Sequence, residues 1–297
     1  MKPLLGLRAH DFGTLPPEEL AVRIAASGAT CVQLALAKAL PGGHMMPAEF
    51  GDAGLANIQS AFSRNGISIA VVGCYIDTVN LDLDVREFSL RRFEAHIAAA
   101  AALGCRIIGT ETGSPIPYLD PTSMDQSEGR ERAFRIALQS LKRLINSAEA
   151  QGSCVGVEAV AEYHALSTLE HVRILIEQCR SPALGIIFDP VNLIPLAGVA
   201  DMDVFLDECF AIFGERIVAI HAKDFKMVPA ENGLVKLGDL PVGTTGVMDW
   251  VGVFERLINI GKQHVPILLE DTSPAHAVDS FAYLQRAWDQ VMARLAE

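Results

Sequence analysis

Four residues of this 297-residue chain could together hold a metal ion: Glu158 in "GVEAV", Asp189 in "IIFDPVNL", His221 in "IHAKDF" and Glu270 in "ILLED". Each closes an apolar run, which places a titratable side chain at the end of a buried strand. A carboxylate in that position is costly unless it is paired or bound to a cation. Three carboxylates and one imidazole make a hard, oxygen-rich set. It suits one divalent ion, Mn²⁺ or Mg²⁺ first and Co²⁺ or Zn²⁺ second, and leaves positions open for the oxygens of a substrate. No cysteine belongs to it. Taken singly, each residue reads as a helix cap or half of a salt bridge; four at successive strand ends read as one site. A divalent ion on a carbonyl and its neighbouring hydroxyl acts as a Lewis acid, stabilising the enediolate that forms when the adjacent C–H proton leaves.

Other residues fall at the same end of the strands. Lys223, two positions after His221, either neutralises a developing anion or pairs with Asp224 or Glu270. Asp224 beside it is counted with the substrate-binding residues. Glu111 in "GTETGS" binds a substrate hydroxyl or supports a ligand from behind. His164 hydrogen-bonds a sugar hydroxyl or is solvated, and His10 lines the floor or packs. Asn192 binds a substrate oxygen or caps the turn at Asp189 and Pro190, and Tyr75 in "GCYID" walls the pocket or is half-buried packing. His96 and His171 lie within helical segments, and His44, His264 and His276 lie off the strand ends; these five read as surface or packing residues. The glycines of "LPVGTTG" are better explained by a tight turn than by a phosphate cradle.

The elements that must position these residues alternate. Eight short, β-branched apolar runs cover 4–9, 30–36, 67–74, 105–111, 153–159, 183–189, 216–222 and 265–271. Their nearly continuous apolar character suits strands covered on both faces, as in a parallel sheet. Longer segments of helical period follow each, most ending in a glycine suited to a C-cap, and no linker or low-complexity stretch interrupts them. Eight βα units point to an α/β fold, a (β/α)8 TIM barrel with residues 1–297 as a single domain and the site at the carboxyl ends of the strands. The connections 37–48, 75–85, 112–126 and 225–248 are read as loops on that face. Loops of about 12 residues or more are usually functional.

Composition narrows the partners. Lysine and arginine number 24 against 36 aspartates and glutamates, a net charge of −12, which repels nucleic acid and anionic lipid. Six cysteines scattered through apolar segments with no CxxC spacing read as free thiols in a reducing cytoplasm. The N-terminus is too short in apolar residues for a signal peptide, and no window approaches the ~18 apolar residues of a membrane span. Walker, dinucleotide-binding and serine-hydrolase signatures are absent.

At this point the chain resembles the xylose-isomerase-like TIM barrels grouped as sugar phosphate isomerases/epimerases, among them ketose 3-epimerases, hydroxypyruvate isomerase, inosose dehydratase and, more distantly, endonuclease IV. The resemblance spans nearly the whole chain and rests on the four quoted motifs together with "LPVGTTGVMDW". It implies that Glu158, Asp189, His221 and Glu270 hold one divalent cation and that the two glutamates flank the substrate carbon, one removing a proton and the other returning it. It also implies a small carbohydrate substrate and a dimer or tetramer. Two positions depart from the ketose 3-epimerase pattern: Asn192 stands where those enzymes carry histidine, and Met227 where they carry arginine. The extra histidines of an endonuclease IV-like hydrolase are absent after the third and fourth strands. The expected activity is isomerisation or epimerisation of a small ketose, sugar phosphate or related polyol. Dehydration of an inosose-like keto-polyol is the alternative, and a non-catalytic sugar-binding barrel the third reading.

Overall fold

A computed structural model describes residues 2–42, 46–123, 125–231 and 233–296. The first half runs β1 (Leu4–Arg8), α1 (Pro17–Ala26), β2 (Cys31–Leu34), α2 (Leu36–Ala39), α3 (Gly51–Arg64), β3 (Ser68–Gly73), α4 (Leu83–Ala99) and β4 (Ile107–Thr110). The second runs α5 (Ser127–Ala150), β5 (Cys154–Glu158), α6 (Leu169–Cys179), β6 (Leu184–Phe188), α7 (Pro190–Leu193), α8 (Met202–Phe213) and β7 (Ile217–Ala222). It ends with β8 (Asp224–Ala230), β9 (Gly233–Leu240), α9 (Trp250–Asn259), β10 (Pro266–Leu269) and α10 (Pro274–Arg294). Eight strands close a parallel barrel in the order β1-β10-β7-β6-β5-β4-β3-β2, the TIM barrel that the βα alternation requires.

The helices begin where their sequences supply a cap. Asp82 accepts from the amides of Asp84 and Val85 at the start of α4, Thr168 from His171 at α6, Asp201 from Val204 at α8 and Asp249 from Gly252 at α9. Their apolar faces cover the outside of the barrel. Inside it, Cys31, Val71, Ile187, Ala219 and Leu268 form a separate dry cluster. Glycine is required around this plug: a Cβ on Gly109 would lie 2.8 Å from Ile187 Cδ1, and one on Gly6 only 2.3 Å from the Cys31 carbonyl oxygen.

One connection differs from expectation. Residues 225–248 do not form a simple loop, because β8 and β9 pair as an antiparallel hairpin with Val228 opposite Val235 and Ala230 opposite Gly233. Most of its side chains are exposed or half-exposed, so it has no core face to create a clear apolar alternation. The hairpin is tied back onto the loop after β6 by Lys236, whose amide donates to the Leu196 carbonyl at 2.7 Å and whose ammonium donates to the carbonyls of Val191 and Ile194. Among the described residues no helix is long and apolar enough to cross a membrane. All six cysteines are unpaired.

Candidate metal centre

Glu158 is the last residue of β5, Asp189 follows β6, His221 lies near the end of β7 and Glu270 follows β10. The closed barrel brings them together. One ligand atom from each falls within 4.8 Å of the others, and all four residues are buried. His221 Nδ1 lies 2.9 Å from Glu158 Oε2 and 2.7 Å from Glu270 Oε2. Yet His221 Nδ1, Glu270 Oε2 and Asp189 Oδ2 are buried with no well-directed hydrogen-bond partner among the described residues. Orphaned polar atoms that converge in this way are expensive in an apolar interior, and a bound cation satisfies all of them. The donor set therefore fits a hard or borderline divalent ion.

The surroundings orient each ligand. Gln33 Nε2 donates to the Tyr75 hydroxyl at 2.7 Å, so its Oε1 accepts from His221 Nε2–H at 2.9 Å, which leaves Nδ1 to face the centre. Burial works against charge on His221, but Glu158 and Glu270 outweigh it and raise its pKa well above the ordinary value. The glutamates thus hold a positive charge at Nδ1, whether proton or metal. Asp189 divides its oxygens: Oδ1 accepts from the Asn192 amide at 2.8 Å and caps α7, while Oδ2 lies 3.3 Å from Lys223 Nζ. Asn192 returns along the same turn, and its Nδ2 donates to Glu158 Oε1 at 2.6 Å. Glu270 Oε1 accepts from Arg8 Nη1 and faces Lys223 at 3.7 Å. Burial would raise the Glu270 pKa, but His221, Lys223 and Arg8 hold it well below the usual carboxylate range.

Beside the centre opens a cavity of about 420 Å³, of the size that small-molecule sites occupy. Glu111, His164, Asn192 and Lys223 line it with Glu270. His164 Nδ1 accepts from the Gly113 amide at 3.1 Å and its Nε2 faces Glu111 Oε2 at 3.6 Å. Burial first, and then Glu158 and Glu270, raise the Glu111 pKa to about 7. His10 and Tyr75 meet edge to face at 6.1 Å on another side of the centre and do not line the cavity.

Asp224, expected to touch substrate, is placed elsewhere. Its carboxylate accepts from the amides of Phe225, Thr245, Gly246 and Met248 and from the Thr245 hydroxyl, at 2.7–3.4 Å. It is a loop anchor, and it takes up the glycine-loop amides that a phosphate would otherwise use. Among the remaining histidines, His96 is buried against the Arg92 carbonyl at 2.8 Å, His171 stacks on Phe134 at 4.0 Å and His276 bonds Ser273. His264 is exposed, and His44 lies outside the described residues.

Several site residues escape a reading of the sequence. Gln33 is a lone amide in an apolar strand, a signal that was there to be found. Arg8 closes the first strand as the ligands close theirs, and binds Glu270, Asp271 and Asp11 together. Lys236 and Asp239 arrive on the hairpin, which the sequence does not announce.

The sequence profile of the xylose isomerase-like TIM barrel family matches residues 22–288. No curated protein matches the chain by sequence. Solved structures with the same architecture include a D-tagatose 3-epimerase-like protein, 17% identical with a TM-score of 0.75 over 99% of this chain and 100% of that one. A 3-keto-D-glucoside 4-epimerase from E. coli is 17% identical, with a TM-score of 0.70 over 96% and 100%. A xylose isomerase-like TIM barrel protein from Mycobacterium smegmatis, solved with magnesium, is 14% identical, with a TM-score of 0.72 over 98% of each chain.

Proposed function

Because the chain belongs to the xylose isomerase-like TIM barrel family, we propose that it is a divalent-metal-dependent isomerase or epimerase acting on a small ketose or related polyol. The observation that carries this reading is the convergence of Glu158, Asp189, His221 and Glu270, with their orphaned atoms, beside a cavity of substrate size. The epimerases among the structural neighbours and the magnesium in one of them support it.

In this reading all four residues hold the ion, Mn²⁺ or Mg²⁺ by preference for their hard donors. When bound, it supplies a Lewis acid that polarises the substrate carbonyl and acidifies the neighbouring C–H. The chain's own groups do the proton work. Glu158, steadied through Oε1 by Asn192, and Glu270, steadied through Oε1 by Arg8, each present a second oxygen to the centre. One removes the proton from the substrate carbon and the other returns one. Lys223 keeps positive charge beside the Asp189 and Glu270 carboxylates, and Glu111 and His164 receive substrate hydroxyls.

Elemental analysis of the purified protein, stripped and reloaded with Mn²⁺, Mg²⁺, Co²⁺ or Zn²⁺, tests the centre. About one ion per chain is expected, lost when Glu158→Gln and Asp189→Asn are combined. Turnover on a panel of ketoses and inososes should fall about 10²- to 10⁴-fold in Glu158→Gln and in Glu270→Gln. A chain that holds no ion, or both variants at full activity, overturns the proposal. Product analysis separates epimerisation, which conserves mass, from loss of water.

A further inference from the structure

The cationic groups that line the cavity beside the metal centre have most of their donors already engaged. Its two lysines are Lys223 and Lys236. Lys223 Nζ lies 3.1 Å from Asp239, 3.3 Å from Asp189, 3.5 Å from Asp271 and 3.7 Å from Glu270. Lys236 gives two of its three N–H groups to the carbonyls of Val191 and Ile194. Arg8, directly behind, is occupied by Glu270, Asp271 and Asp11. His164 is kept neutral by burial, its Nδ1 occupied by the Gly113 amide. Even the amides of the glycine loop after the hairpin are taken, by Asp224.

The acceptors, by contrast, remain reachable. Glu111, Asp239 and Asp271 line the cavity with side-chain exposures of 29%, 73% and 31%. Asp239 and Asp271 both adopt left-handed backbone, with φ of 60° and 50°. Such a conformation is unfavourable for a residue with a Cβ, and strain of this kind gathers where a side chain must be aimed. Here it aims two carboxylates at Lys223 and at the space beside it.

We infer that this cavity takes an uncharged polyhydroxylated ketone and rejects sugars that carry a phosphate or carboxylate. The inference rests on the isomerase reading above and narrows its substrate class. A hydroxyl donates to Glu111, Asp239 or Asp271 and accepts from His164 Nε2–H. An anionic group placed at the Asp239 and Asp271 end of the cavity meets carboxylates whose nearest cations, Lys223 and Arg8, are already paired among the described residues, and this repulsion disfavours it relative to a hydroxyl.

The test is calorimetric titration of the Mn²⁺-loaded full chain with matched pairs, D-fructose against D-fructose 6-phosphate and D-tagatose against D-tagatose 6-phosphate, followed by turnover assays on the same samples. The free sugar should bind at least tenfold more tightly in at least one pair at low ionic strength. The gap should narrow with added salt and in the double variant Asp239→Asn, Asp271→Asn. A phosphate ester that binds as tightly as its free sugar overturns the inference, more so if Lys236→Met selectively weakens it; its conversion would leave the isomerase reading intact. Failure of every probe to bind overturns the substrate class. Free sugars that bind preferentially but are never converted uphold the binding inference and remove the isomerase reading instead.

Discussion

Two layers of the barrel interior, built on the same strands two residues apart, have opposite chemistry. In the lower layer Cys31, Ile187, Ala219 and Leu268 are apolar, and in the upper one the same strands carry Gln33, Asp189, His221 and Glu270. The glycines Gly6, Gly109 and Gly156 stand in the same relation to Arg8, Glu111 and Glu158. This is the period of a strand, whose alternate residues face one side. Only β3 breaks it: Val71 is followed by Gly73, and Tyr75, beyond the strand, supplies the polar group instead. The lower layer closes the barrel from below, so the upper layer is desolvated and its charges answer to one another rather than to water. Packing and titration behaviour are thus two faces of one alternation.

The largest effect expected from disturbing this arrangement lies in the lower layer. Gly6→Ala would drive a methyl against the Cys31 backbone, and overpacking of that kind costs about 1–3 kcal/mol; because the clash is with main chain, the upper end is expected in urea unfolding. Unchanged stability would mean that the floor yields and does not define the positions above it. A smaller effect is expected in the upper layer from Gln33→Leu, which removes the partner of His221 Nε2 without touching a ligand. Metal affinity should fall about 10- to 100-fold, measured by competition with a chelator, while the chain stays folded. Wild-type affinity would show that the imidazole is oriented by packing alone.

The smallest effect belongs to neither layer. His96, buried in α4, has its pKa lowered by burial, which outweighs the hydrogen bond to the Arg92 carbonyl that favours the proton. The unfolded chain takes up this proton near the ordinary value of about 6.5, the folded chain only at lower pH. Stability from this residue is therefore complete above that value and declines as the pH falls below it. The melting temperature should drop less between pH 7.5 and 5.5 in His96→Gln than in the wild type. An identical drop would assign the acid sensitivity to His10, His164 and His171, whose pKa values are also lowered by burial.

The barrel was legible because every strand is covered on both faces and leaves a continuous apolar run, and the convergence of Glu158, Asp189, His221 and Glu270 follows from barrel closure once their strand ends are aligned. What supports them was less so. Gln33 reads as a polar interruption until β7 is known to lie across the barrel from β2, and Arg8 has no motif beyond its position. The β8–β9 hairpin was invisible because most of its side chains are exposed or half-exposed and neither face is buried in a core. Asp224 was misplaced for a related reason: adjacent to Lys223 in sequence, it points the opposite way, as neighbouring residues of extended chain do, and buries itself under the loop.

That anchoring has a consequence for how the barrel could be altered. The Asp224 carboxylate sits where the hairpin leaves the barrel and grips residues 245, 246 and 248 where the chain comes back. The two ends of the segment between are drawn together by one side chain, like a drawstring at the neck of a bag. A replacement for the segment carrying Lys236 and Asp239 would therefore have to keep that drawstring, and also supply the tie that Lys236 makes to the loop after β6 and the carboxylate that Asp239 offers Lys223.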